Sequence, residues 1–146
     1  MSLHKAEQIM VAVLAKITSL TTTGANAFRG RVYPLQSTQL PALVLYMGAD
    51  TPTLLHSQTL MDCALNVTVE VVIKTTAQAD TLLNLIRKEV SIALQADYTQ
   101  GLSFVLNTEE GPADEPELTG DSEQPISRQR LHFTISYRRS RTDPSA

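Results

Sequence analysis

The sequence predicts one α+β domain over residues 1–146, a mixed or antiparallel sheet of about four to five strands packed with two helices. Two stretches carry apolar residues at three- and four-residue spacing, which marks amphipathic helices. Others alternate apolar with polar at every second residue, as a half-buried strand does. The order is helix, strands, helix, strands, with no repeat and no second composition block.

Leu3, Ala6, Ile9, Met10, Val13, Leu14, Ile17 and Leu20 form the first stripe and predict a helix over residues 3–20. Thr21 to Gly24 breaks the period and supplies a glycine suited to a helix stop. Residues 28–33 read as a short strand. The compact apolar run 41–47, closed by Gly48, reads as a buried one. Thr51-Pro52-Thr53 then opens a polar connection reaching to about Gln58 or Leu60, too long for a tight hairpin.

From Cys63 to Ile73 every odd position is apolar, while Asn66, Thr68 and Glu70 point the other way, giving the clearest strand of the chain. Thr75 with Gln78 matches a capping box, and the stripe Ala79, Leu82, Leu83, Ile86, Val90, Ala93, Leu94 predicts a helix over 76–96. A short strand follows at 102–106. A longer one covers 128–138, where Leu131, Phe133, Ile135 and Tyr137 alternate with His132, Thr134, Ser136 and Arg138. Between them Glu109, Glu110, Asp114, Glu115, Glu117, Asp121 and Glu123 gather seven of the fifteen acidic residues, interleaved with Pro112, Pro116, Gly111 and Gly120. That composition predicts a solvated, mobile loop.

The balance of charge is −3, so the chain lacks the basic excess that phosphate binding demands and a specific nucleic-acid partner is not expected. One cysteine permits no internal disulfide and suits a reducing cytoplasm. The apolar run Ile9 to Ala15 is preceded by Glu7 and interrupted by Lys16, which argues against a signal peptide. No run approaches the roughly 18 apolar residues of a membrane span.

Chemistry is sparse. Cys63 continues the apolar face of its strand, which makes it core rather than a nucleophile served by His56 or His132. The three histidines lack metal-ligand spacing, and no glycine-rich phosphate loop follows a strand. No catalytic residue, cofactor or metal is therefore expected. One asymmetry stands out: directly after the acidic block come Arg128, Arg130, Arg138, Arg139 and Arg141, five of the twelve basic residues. These could be solvated charges protecting an edge strand. Alternatively, the acidic and basic blocks meet between copies of the chain, or fold back on one another within it.

In the order and spacing of its pieces the chain resembles the tail-terminator proteins of long-tailed bacteriophages, typified by the minor tail protein U of phage lambda. The resemblance is carried by the N-terminal amphipathic helix, Phe28-Arg29-Gly30-Arg31, the run Leu40 to Asp50, the long alternating strand with its helix, and Leu131 to Tyr137. The acidic loop and the arginine tail depart from the family pattern. The resemblance implies a non-enzymatic hexameric ring that caps the tail tube, ends its polymerisation and presents a docking surface for the head. The implied partners are further copies of the chain, the tail tube protein and a head-completion or connector protein. Assembly would take place in the host cytoplasm and the product would be part of the virion. A different head-to-tail connector or tail-completion protein is the neighbouring reading. A small ligand-binding or enzymatic α+β domain is the rival from another class.

Overall fold

The computed structural model describes residues 3–30, 37–74, 79–119 and 125–146. Helix α1 (Lys5–Ile17) starts where His4 Nδ1 accepts the Ala6 N–H at 3.0 Å, filling one of the donors a helix start leaves open. It stops three residues short of the predicted end. Thr18 is extended, its hydroxyl bonds back to Leu14 O at 2.7 Å, and Ser19 has a φ of 79° that no helix continues. Helix α2 (Ala79–Gln95) agrees with the second stripe, while the expected cap at Thr75 to Gln78 lies outside the described residues.

Six strands form one mixed sheet: β1 (Ala27–Arg29), β2 (Ala42–Leu55), β3 (Leu60–Lys74), β4 (Val105–Glu110), β5 (Glu117–Thr119) and β6 (Ile126–Ser140). The order is β1-β2-β3-β6-β4, with β5 following β4 along the same edge of β6. Among the described strands only β1 with β2 is parallel. The expected α+β domain of two helices on a mixed sheet is thus the observed one.

Both helices cover the same face. Ile9, Met10, Val13 and Ile17 of α1 and Leu83, Ile86, Val90 and Leu94 of α2 join one core with Leu43, Leu45, the odd residues of β3 and Leu131, Phe133, Ile135 and Tyr137 of β6. Burial of each such large side chain contributes about 1.5–3 kcal/mol. Arg29 ties β1 to α1 through two bonds to Glu7, at 2.5 and 2.7 Å.

Four expectations need correction. The strand expected at 28–33 is described only as Ala27–Arg29, and 31–33 lie outside the described residues. The run at 41–47 does not stop at Gly48. β2 continues to Leu55, so Thr51-Pro52-Thr53 is strand and the connection to β3 is only four residues, 56–59. The polar groups of β3 need partners along their whole length, and they out-compete the turn signals. Pro52, which has no N–H to donate, is accommodated because, among the described residues, β1 flanks β2 only at Leu43, Val44 and Leu45. Gly48 marks a close approach instead of an end: a Cβ there would lie 3.0 Å from Asn66 O, beside the bulge between Met47 and Asp50.

The strand expected at 102–106 is shifted to Val105–Glu110, because Asp97 accepts N–H groups from Thr99 and Gly101 and holds the preceding stretch in turns. The acidic segment is not a free loop where it is described. Glu109 and Glu110 belong to β4, Glu117 to β5, and Gly111 N and Asp114 N donate to His132 O and Arg130 O at 2.8 and 3.0 Å. An unpaired edge of β6 offers hydrogen bonds that outweigh the local preference for disorder.

Candidate subunit interface

The face of the sheet turned away from the helices carries a ladder of polar pairs across β3 and β6. Asp62 opposes Arg138, Asn66 opposes Thr134, Thr68 opposes His132 and Glu70 opposes Arg130, each directly in register. The contacts are Arg138 Nε to Asp62 Oδ1 at 2.7 Å, Thr134 Oγ1 to Asn66 Oδ1 at 3.1 Å, Thr68 Oγ1 to His132 Nδ1 at 3.2 Å, and Arg130 Nε to Glu70 Oε2 at 3.0 Å. Such opposed pairs are the unit of sheet stabilisation. The Arg138 hydrogen bond holds the Asp62 carboxyl below its ordinary range, and Arg130 and Arg138 are raised by their bonds to Glu70 and Asp62. Glu70 is buried and also lies 4.0 Å from Arg128.

This ladder decides where the predicted interface residues fall. β6 places Arg128 and Arg130 near one end and Arg138 and Arg139 near the other, with Arg141 just beyond. Ten residues of strand separate Arg128 from Arg138, roughly 33 Å. Of the described acidic segment, Asp114 to Glu117 lie at the first end, while Glu109 and Glu110 pair with Thr134 and Phe133 in the middle of β6. Glu117 is opposite Arg128, Asp114 Oδ1 meets His132 Nε2 at 2.9 Å, and Glu115 joins Glu117, Asp114 and Glu70 around a small cleft with Arg128 and Arg130. Glu110 accepts from Ser91 Oγ of α2 at 2.5 Å, and Glu109 is exposed on β4. Asp121 and Glu123 lie outside the described residues. Among the described residues, Arg128, Arg130 and Arg138 take their ion-pair partners from β3, and no ion pair links the acidic segment to Arg138, Arg139 or Arg141. Sequence reading missed Glu70 and Asp62 as partners because the register of β3 on β6 is not visible in either strand alone.

A second feature was hidden by the loop expectation. Beyond Met47, β2 continues as an exposed edge of the sheet, an arm lying on the start of β3, which β6 flanks on its other side as far as Ser140; it carries Leu54 (60 % exposed) and Leu55 (49 %), with Leu60 (37 %) at the start of β3. Its turn is closed by Ser57 Oγ, which accepts from Thr59 N and Leu60 N. Its root is fastened where the buried Tyr137 hydroxyl donates to Asp50 Oδ2 at 2.6 Å, and burial with that carboxylate raises the phenol's pKa. Arg141 N reaches Thr59 O at 2.8 Å, so the basic end of β6 runs beside the arm. The three leucines were the available signal, in a stretch otherwise read as polar.

One arrangement has the outline of a catalytic relay, Thr68 to His132 to Asp114. Thr68 sits mid-strand between β2 and β6, where backbone N–H groups are committed to the ladder. Nothing in that geometry supplies the donors an oxyanion needs. Asp114 is half-exposed, so it holds the ring weakly. Cys63 is buried, as its place in the alternation predicted. No helix among the described residues is long and apolar enough to cross a membrane.

No family model and no curated protein matches the chain. Among solved structures it is similar to a chain from the virion of a native gene transfer agent particle, with a TM-score of 0.47 at 10% identity, covering 94% of this chain and 92% of that chain.

Proposed function

We propose that the chain is a structural virion subunit that acts as one copy of a closed ring, capping a phage tail tube and presenting a surface for the head. The observation that carries this reading is the ordered arm. Three exposed leucines gather at the outer end of this edge, Leu54 and Leu55 on opposite faces of the strand, and exposed apolar residues gathered in one place mark a protein contact. The distribution of charge adds to it. Arg139 and Arg141 lie at the end of β6 opposite Asp114 to Glu117, so contacts between these two ends join unlike faces of neighbouring copies. Head-to-tail contacts of that kind close into rings or run on as filaments. The family resemblance supplies the ring of six, the tube end, the head-completion protein and the virion location.

Capping in this scheme needs no covalent step and no cofactor. A ring with one face matched to the tube end and the other unable to extend it removes the growing site. Weak subunit contacts suffice, because a template that holds several of them at once multiplies their effect. Native mass spectrometry of the purified chain over rising concentration, with and without tube ends, tests the reading. A closed oligomer bound at tube ends is expected. A chain that stays monomeric at millimolar concentration and ignores tubes removes it, and binding to a head connector alone favours the tail-completion alternative.

A further inference from the structure

We draw no further inference here: the strongest candidate, the groove between the end of α1 and the outer face of α2 beside Leu20, Ile92 and Ala93, has charges of both signs around it, and nothing in the structure shows what covers it.

Discussion

Cys63 lies between Pro52 on one side and Tyr137 on the other, and its thiol is sealed in the core. Cys63→Ala should cost about 1–2 kcal/mol through a small cavity, measured by urea unfolding, and the native thiol should resist a small disulfide reagent; rapid labelling would contradict its placement. Asp62 governs a different observable. Its folded pKa lies below the ordinary value of 3.8, so the unfolded chain binds its proton first as pH falls. The Arg138 pair therefore adds stability above about pH 4 and loses it below. Arg138 is a third exposed, so solvent screens the pair and keeps its contribution small. Asp62→Asn should flatten the acid limb of a melting-temperature profile, and an unchanged limb would show that other carboxylates dominate it.

At the scale of elements, β3 is paired along both edges while the outer half of β2 is paired along one. Amide exchange should accordingly be slowest through the middle of β3 and much faster over residues 48–55; equal protection would mean the arm is covered even in the isolated chain. Gly48→Ala tests the arm's root, because the added methyl meets Asn66 O at 3.0 Å. A loss of about 1–3 kcal/mol is expected from such crowding, together with faster exchange in the arm. How much of this was legible follows from the same contrasts. α2, β3 and β6 were readable because long regular periods and one buried face fix them. The arm was not, since Gly48 and Thr51-Pro52-Thr53 are turn signals by composition and only β3 makes them strand. The acidic segment was misread for a parallel reason: its prolines and charges favour solvent, and the bonds from β6 that hold it belong to a strand later in the chain. The candidate interface arginines were identified as a block, but their partners Asp62 and Glu70 needed the register.

For the whole molecule, the division of the basic block between the two ends of β6 separates folding from assembly. Reversing Arg138 would break a pair inside the subunit, whereas Arg139→Glu with Arg141→Glu leaves every ion pair among the described residues intact. That double variant should keep its melting temperature yet associate several-fold more weakly at low salt, with the difference shrinking as salt screens exposed charges. Light scattering across concentration and salt reads both; equal association at low salt would take the charges out of the interface. The central position of β6 has a separate consequence for how the chain is made. It fills the edge of β3 on one side and receives β4 and β5 on the other, yet it follows all of them in sequence. A nascent chain with β3 complete exposes an unfilled fifteen-residue edge until β6 is translated, and pairing across so long a loop is slow. The interval between those two strands is when the polypeptide is most open to wrong pairing, and a pause in translation there should raise the aggregated fraction more than one placed after Ser140.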